Sequence, residues 1–291
     1  MLKNKKLTYS TLGLLFVAAI LIWSAVFSQT PDSILEVTFF DVGQGDSIFI
    51  ETPQGRQILI DGGPDKTVLE KLSQTMPFYD RTIDLLILTH PDADHITGLV
   101  EVLKYYQVSH ILTSGLKKDT VVYQKWRDLI QQKSIPLTIA QAGQKIILQE
   151  DVVMKIFWPE QSLIKSFSKN ANNVSIVGQL VYGQSEFLLT GDIEKEVEQY
   201  LVRPLGSNSL ASDILKIPHH GSKTSASQNF LKAVNSQIAI ISVGLNNRYK
   251  HPHPTVLERL KNSVIYRTDK NGDIKVFTNG NFFNIITEYE S

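Results

Sequence analysis

Apolar and polar residues follow two different periods along the chain, and the change of period predicts the order of strands and helices. After residue 34, short apolar runs between glycine and proline turns predict strands at Leu35 to Phe40, Ser47 to Glu51 and Gln57 to Ile60. The apolar run Ile83 to Thr89 predicts a buried parallel strand. Apolar residues then recur at helical spacing from Ile96 to Tyr106, which predicts a helix directly behind that strand.

The remainder of the chain repeats this organisation. Strands and helices alternate up to residue 140, a β-rich group covers Lys145 to Thr190, and the alternation then resumes. Within that group, Val177 to Tyr182 and Glu186 to Thr190 predict a hairpin. Two successive runs of this kind predict an α/β fold in which two stacked sheets are flanked by helices. No repeat and no internal linker divides the region 34–288, so we predict one domain there.

The first 30 residues predict a membrane segment. Leu7 to Phe27 contains no charged residue, and 21 residues at the helical rise span about 31 Å, close to the apolar thickness of a bilayer. Three lysines precede it and the next basic residue is Arg56, which predicts a cytoplasmic tail, a single-pass anchor in the cell membrane and an extracellular main domain. The alternative is a signal peptide cleaved near Val26 to Ser28, which would leave the domain secreted.

Composition excludes several classes of function. With 291 residues and 42% hydrophobic content, the chain can bury a sizeable core. The formal net charge is zero, so the chain lacks the basic excess that binds a nucleic-acid duplex by charge alone. The absence of cysteine excludes disulfides, thiolate metal sites and a cysteine nucleophile.

The segment HPDADH, residues 90–95, carries the strongest chemical signal. It follows the predicted strand Ile83 to Thr89, so its side chains should lie at the carboxyl edge of a sheet, where open α/β folds place their sites. Imidazole and carboxylate together suit Zn²⁺, Mn²⁺ or Fe. The alternative is that one aspartate only caps the following helix, which would explain neither histidine. The candidate metal ligands here are His90, Asp92, Asp94 and His95.

Three later segments carry further candidate residues. His219 and His220 follow a strand-like run, and Asp192 follows the predicted hairpin, where it could bridge two ions or cap the next helix. His251 and His253 alternate with prolines, which stiffen the loop and fix the direction of each ring. The alternative for this histidine pair is a rigid surface turn.

Longer strings extend these motifs, namely FFDVGQGDS (39–47), ILIDGG (58–63), LTHPDADHITGL (88–99), LLTGD (188–192), ILKIPHHGS (214–222), IISVGLNNRYKHPHPTVLERL (240–260) and YRTDKNGDI (266–274). Read in order, the motifs resemble those of the metallo-β-lactamase superfamily, and the longer strings resemble the exported hydrolase domain of the ComEC family of competence (DNA internalisation) proteins. The resemblance implies a four-layer αβ/βα sandwich, here preceded by one N-terminal transmembrane helix in place of many membrane spans.

The resemblance also implies two divalent metal ions, Mn²⁺ or Zn²⁺. It assigns His90 and Asp92 to the first ion, Asp94 and His95 to the second, and Asp192 to a position between them. One histidine of the adjacent pair completes the second site, and the sequence leaves open which. The implied metal ligands are His90, Asp92, Asp94, His95, Asp192, His219 and His220, of which Asp94, His219 and His220 are also candidate catalytic residues.

The first ion site departs from the family pattern. The superfamily normally supplies it with a further histidine, but the corresponding stretch here is Asn170 to Ser175. A site richer in oxygen and poorer in imidazole should favour a harder ion such as Mn²⁺ or hold its ion weakly.

The function that the resemblance implies is hydrolysis of phosphodiesters in DNA or RNA outside the membrane by a metal-activated water. Lys216, His251 and His253 are predicted to hold phosphate oxygens through charge-assisted hydrogen bonds. One alternative is a metallo-hydrolase of a β-lactam, phosphorylcholine or another ester. The other alternative is a surface binding module that has lost catalysis.

Overall fold

The computed structural model describes residues 9–21, 33–203 and 210–289, and its first helix, α1, covers residues 9–21. Within these described ranges, no helix has both the length and the apolar character needed to cross a bilayer. The span predicted from Leu7 to Phe27 extends past α1 at both ends, and those ends, together with the alternative cleavage site at Val26 to Ser28, lie outside the described residues.

The main domain alternates strands and helices as its apolar pattern predicts. The strands are β1 (Leu35–Phe39), β2 (Ile48–Glu51), β3 (Gln57–Ile60), β4 (Thr82–Leu88), β5 (Gln107–Thr113), β6 (Leu137–Ile139), β7 (Lys145–Gln149), β8 (Val152–Trp158), β9 (Val177–Tyr182), β10 (Ser185–Leu189), β11 (Ile214–Lys216), β12 (Ile238–Ile241), β13 (Val264–Arg267), β14 (Ile274–Thr278) and β15 (Phe283–Thr287). The helices are α2 (Thr67–Thr75), α3 (Ala93–Tyr105), α4 (Val121–Lys133), α5 (Ile164–Phe167), α6 (Lys195–Leu201), α7 (Gln228–Val234), α8 (Pro254–Arg259) and α9 (Thr268–Asn271).

These strands form two mixed sheets. Among the described residues, one sheet has the order β15-β14-β1-β2-β3-β4-β5-β6 and the other the order β13-β12-β11-β10-β9-β8-β7. The pairs from β3 to β6 are parallel, and so are the pairs from β10 to β13. Parallel neighbours end at the same edge, so the segments that follow β3, β4, β10 and β11 are brought close together.

Side-chain alternation on each strand divides the core into layers. On β2, Ile48 and Ile50 face the space between the two sheets, whereas Phe49 packs with the helices α2 to α4. The outer face of the second sheet, which includes Leu215, packs in the same way on α6, α7 and α8. The predicted two-sheet sandwich with helices on both outer faces is therefore confirmed.

The boundary between β4 and α3 differs from the prediction in a way that matters for the site. The helix begins at Ala93, three residues before the predicted start near Ile96, so Asp94 and His95 lie in its first turn and not in a loop. Asp92 occupies the N-cap position with extended backbone angles, and its side chain makes no capping hydrogen bond within the described ranges. The helix-cap alternative for Asp92 is therefore wrong.

Candidate metal centre

Side chains from distant segments meet at the shared edge of the two sheets. Asp94, His95, Asp192 and His220 each offer one ligand atom, and these four atoms all lie within 4.8 Å of one another. Nε2 of His95 lies 3.3 Å from Oδ2 of Asp192, and Nε2 of His220 lies 3.2 Å from the same oxygen. We call these residues the four-ligand cluster. They correspond to the predicted second ion site together with its bridging aspartate.

The backbone of the HHG turn separates the two adjacent histidines. His219 and His220 have φ angles of 50° and 53°, and Gly221 continues the left-handed turn at 77°. A Cβ on Gly221 would lie 2.6 Å from Cβ of Pro252, so glycine is required there. The turn sets the two imidazole rings at an interplanar angle of 67°. Only the ring of His220 reaches the four-ligand cluster.

His219 faces a different part of the cleft. Its Nδ1 lies 3.3 Å from Oε1 of Glu194, and its Nε2 lies 3.2 Å from the side-chain amide of Asn172. Its side chain keeps 22% of its surface exposed, against 2% for His220. The ambiguity that the sequence left within the pair is resolved geometrically: His220 joins the cluster and His219 lines the cleft beside it.

Hydrogen bonds donated by Nδ1 orient His95 and His220. Nδ1 of His95 donates to Oδ2 of Asp61 at 2.8 Å, and Nδ1 of His220 donates to the carbonyl oxygen of Ser242 at 2.8 Å. In both rings this leaves Nε2 directed at the cluster. Asp61 was not among the predicted site residues, although its place directly after β3, beside β4, is the signal that could have found it.

The tautomer of His90 follows from its two hydroxyl neighbours. The Thr89 hydroxyl donates to Asp61 at 2.6 Å, and the Ser175 hydroxyl donates to the carbonyl oxygen of Asn172 at 2.7 Å. Each hydroxyl donates its single proton in these bonds, so toward His90 both hydroxyl oxygens act as acceptors, at 3.1 and 3.2 Å from Nδ1. The proton of His90 therefore lies on Nδ1, and its Nε2 carries a free lone pair. Burial, reinforced by nearby His95, lowers the pKa of His90 to about 4, so its ring is neutral.

Whether a metal ion fits this site can be judged from the buried imidazole nitrogens that make no hydrogen bond. Nε2 of His90 and Nε2 of His220 are both buried and make no hydrogen bond of good geometry in the described part of the chain, although Nε2 of His220 lies 3.2 Å from Oδ2 of Asp192. A buried polar atom left unpaired costs about 1–3 kcal/mol, which a bound cation would recover. Since neutral imidazole and carboxylate are ordinary ligands of divalent transition metals, the donor set fits such an ion.

The electrostatics of the cluster favour positive charge, which a bound cation would supply in place of the proton on His95. Burial disfavours a charge on His95, but Asp192 and Asp61 raise its pKa well above the usual value. Burial likewise disfavours a charge on Asp192, yet His220, His95 and Lys216 lower its pKa well below the usual range. The buried carboxylate therefore stays ionised and gathers positive charge around itself, as a cation-binding carboxylate does.

Asp92 is held apart from the cluster by a lysine. Nζ of Lys118 lies 2.6 Å from Oδ1 of Asp92, and both side chains are partly exposed, at 38% and 29%. Asp92 nevertheless lines the same cleft as Asp94 and Asp192. The structure thus places the predicted first-site ligands His90 and Asp92 next to the cluster, with the aspartate already paired to an ammonium group.

Lys216 lies below the cluster and not in the cleft. Its side chain is fully buried, and its ammonium group contacts the carboxylate of Asp46, the carbonyl oxygen of Gly191 at 2.9 Å and Oδ1 of Asp192 at 3.4 Å. Although burial opposes the charge, Asp46 and Asp192 raise the pKa of Lys216. These contacts make Lys216 a buried counter-charge for Asp192. The predicted contact of Lys216 with substrate phosphate stays a prediction, and the burial of the side chain does not favour it.

The two histidines of the HPHP segment separate. His251 lines the cleft with the cluster, and burial lowers its pKa to about 4, so the ring is neutral at neutral pH. His253 instead caps α8, where its Nδ1 accepts from the backbone N–H of Thr255 at 3.3 Å. Both residues were predicted to hold phosphate, and only His251 is placed where a substrate in the cleft would meet it.

Fold and donor set together define a metallo-hydrolase, and comparison with known proteins agrees. Residues 40–244 match the model of the metallo-beta-lactamase superfamily, so the chain belongs to this superfamily. It is 34% identical over 261 residues to ComE operon protein 3 of Bacillus subtilis, a match that covers 82% of this chain and 32% of the relative. It is 32% identical over 265 residues to Recombination protein 2 of Haemophilus influenzae, covering 89% and 30%. The chain therefore spans about a third of the length of these relatives.

A solved structure confirms the fold. The metallo-beta-lactamase fold protein YhfI from Bacillus subtilis superimposes with a TM-score of 0.55 at 12% identity, over 84% of this chain and 99% of YhfI. Identity at this level shows shared architecture and carries no conclusion about substrate. The predicted family and sandwich are thus confirmed.

Proposed function

We propose that the chain is a metal-dependent phosphodiesterase that acts on nucleic acid outside the membrane. One observation carries this proposal. The Nε2 atoms of His95 and His220 and the carboxylates of Asp94 and Asp192 converge beside a cleft that is open to solvent. The His90 ring lies 4.1 Å from the His95 ring, and its Nε2 is buried without a partner. The names of the relatives, ComE operon protein 3 and Recombination protein 2, favour nucleic acid over the other substrates of metallo-hydrolases.

The four-ligand cluster would hold one divalent ion, and His90 with Asp92 would hold a second, weaker one. Bound there, such ions lower the pKa of water toward neutrality and stabilise the charge that develops on a phosphate. The chain's own groups do the positioning. Asp94, whose side chain is 33% exposed, orients the attacking water from the cleft side. The amide of Asn172 and the ring of His219 lie on the cleft wall, where they can hydrogen-bond phosphate oxygens.

The location of the reaction belongs to the same proposal. An apolar segment from Leu7 to Phe27 with lysines before it supports an anchor whose following domain lies on the extracellular side. Protease treatment of intact cells should remove the main domain of the anchored protein, and full protection from protease would refute this location.

Turnover should be measured for the full-length chain, with Mn²⁺ or Zn²⁺, on single-stranded DNA, bis-nitrophenyl phosphate and a chromogenic cephalosporin. We expect hydrolysis of both phosphodiesters and none of the cephalosporin. Asp192→Asn should lower turnover by about 100-fold or more, because it removes the carboxylate shared by the cluster. Glu101→Gln, which changes a surface acid paired with Lys104 on the same helix as Asp94, is the matched control and should leave turnover intact.

Two results would refute the proposal. One is the absence of phosphodiester turnover with either metal, and the other is full activity of a folded Asp192→Asn variant. Hydrolysis of the cephalosporin in place of the phosphodiesters would support the β-lactam alternative.

A further inference from the structure

An exposed aromatic ring stands at the rim of the metal cleft. Tyr249 lines the same cleft as Asp94, Asp192 and His220, yet its side chain is 51% exposed. Large aromatic surfaces usually pack in a core or meet a partner, because leaving them in water is costly. The Tyr249 ring has no role in the proposed metal binding or in the activation of water.

The backbone around Tyr249 is fixed before any ligand arrives. The Asn247 side chain donates to the carbonyl oxygens of Gly244 and His251, at 3.0 and 2.7 Å, and accepts from the N–H of His251 at 2.8 Å. At the start of the loop, the backbone of Gly244 packs directly on the segment Gly43 to Gly45, because a Cβ on Gly244 would lie 2.6 Å from the backbone nitrogen of Gln44. These contacts hold the backbone of Tyr249 in place at the rim of the cleft.

The groups beside the ring form a stack that carries a positive charge. The imidazole of His251 lies nearly parallel to the Tyr249 ring, with centroids 5.8 Å apart and an angle of 18°. The guanidinium of Arg248 lies 4.8 Å from the ring centre, and one of its nitrogens donates to the Tyr249 hydroxyl at 2.6 Å. Arg248 is fully exposed, so its guanidinium can move aside to a phosphate without leaving a buried partner unpaired.

We propose that Tyr249 and Arg248 form a subsite that stacks one unpaired nucleobase next to the phosphodiester held at the metal centre. Every base has a π-face, so an aromatic ring binds bases without reading their sequence, and a nearby arginine adds cation–π and phosphate contacts. We call this pair the Tyr249 platform. It rests on the proposed function and narrows the substrate to single-stranded nucleic acid, because both faces of a base inside a duplex are already covered.

The overall charge of the chain supports this assignment. Proteins that hold nucleic acid mainly through phosphates carry an excess of basic residues, whereas the net charge here is zero. A substrate strand must therefore gain affinity from local contacts. Stacking on the Tyr249 platform is a local contact of the required kind, at the rim where a strand entering the cleft would pass.

The test is a binding measurement that involves no hydrolysis. Fluorescence anisotropy of a short labelled single-stranded deoxyoligonucleotide, with the full chain in EDTA, would give Kd for the wild type and for three variants. Tyr249→Ala should weaken binding by about five- to 150-fold, the range that removal of one base-stacking aromatic produces. Tyr249→Phe keeps the π-face and should bind within about twofold of the wild type. Tyr105→Ala removes an exposed tyrosine at the far end of α3, and it should bind as the wild type does.

A strand of the same length with abasic positions completes the design. The wild type should bind the abasic strand as weakly as Tyr249→Ala binds the normal strand. The affinity of Tyr249→Ala should be the same for the abasic and the normal strand, because the stacking contact is already absent. The wild type should also prefer the single strand to a duplex, and Tyr249→Ala should lose that preference.

The outcomes separate this inference from the proposed function. Equal Kd values for Tyr249→Ala and the wild type on the normal strand, or equal wild-type Kd values for normal and abasic strands, would overturn the platform even if phosphodiester turnover is intact. Base-dependent binding that disappears in Tyr249→Ala would support the platform even if no metal gave turnover, a result that would count against the proposed function alone.

Discussion

The two predicted ion sites lie side by side but differ in how far they are formed. In the four-ligand cluster, Asp94, His95, Asp192 and His220 already place one atom each within 4.8 Å of the others. The first site has one imidazole with an unpaired nitrogen, that of His90. Its aspartate, Asp92, already forms an ion pair with Lys118 at 2.6 Å. Both sites come from the same sheet edge, so the fold alone does not create the difference.

The difference arises from the groups that surround each ligand. In the cluster, hydrogen bonds from Nδ1 to buried acceptors fix each ring and turn Nε2 toward the site. Buried Lys216 contacts only one of the two Asp192 oxygens. At Asp92 a flexible, partly exposed lysine competes with any cation for the carboxylate. We therefore expect orientation and local charge, more than the number of acidic residues, to make the four-ligand cluster the tighter ion site.

The largest expected effect separates the two adjacent histidines. His220→Gln should weaken the tighter metal-binding step by more than about 100-fold, because loss of a partner that merely orients a ligand already costs about 10- to 100-fold. His219→Gln is the matched control, and its affinity should stay within about twofold of the wild type. Isothermal titration with Zn²⁺ measures both. Equal losses in the two variants would show that the HHG turn does not divide the pair as described.

A smaller effect is expected at the residue that orients His95. Asp61 accepts from Nδ1 of His95, from the Thr89 hydroxyl and from the Thr89 backbone N–H. In Asp61→Asn one acceptor becomes an N–H₂ group that faces another donor, so metal affinity should fall by about 10- to 100-fold. The same titration measures it, with Glu101→Gln as the control. An unchanged affinity in a folded Asp61→Asn protein would show that the ring keeps its orientation without this carboxylate.

The smallest effect concerns the first site and has the opposite sign. Lys118→Ala frees Asp92, and since a partly exposed ion pair is worth at most about 1 kcal/mol, the weaker metal-binding step should tighten by up to about fivefold. Lys117→Ala, which removes the exposed neighbouring lysine, should leave that step unchanged. A weaker second step in Lys118→Ala would mean that the lysine assists the first site and does not compete with it.

Much of the fold and part of the candidate site follow from local sequence pattern. The strand before His90, the helix behind it and the placement of ligands at a sheet edge all follow from apolar periodicity and the strand–helix junction. Asp61 was missed because its role depends on β3 pairing beside β4, a contact between distant segments. Two consecutive left-handed residues, His219 and His220, aim adjacent rings in different directions, and periodicity carries no information about such angles.

The charged contacts were harder still to predict. The strand-like pattern around Lys216 predicts a side chain at the cleft, close to substrate. In the structure the side chain points into the protein and contacts Asp46. Lys118 reaches Asp92 across 26 residues of sequence. Both contacts depend on which face a long side chain takes in the folded molecule, and a single sequence does not encode that choice in any local pattern.

Anomalous diffraction from crystals grown with a limiting amount of Zn²⁺ would locate the ion that this protein binds most tightly. We expect one dominant peak bonded to the four-ligand cluster, with metal–ligand distances of about 2.0–2.2 Å to Asp94, His95, Asp192 and His220. A dominant peak on Asp92 with the cluster empty, or zinc held only by residues outside the cleft, would contradict it.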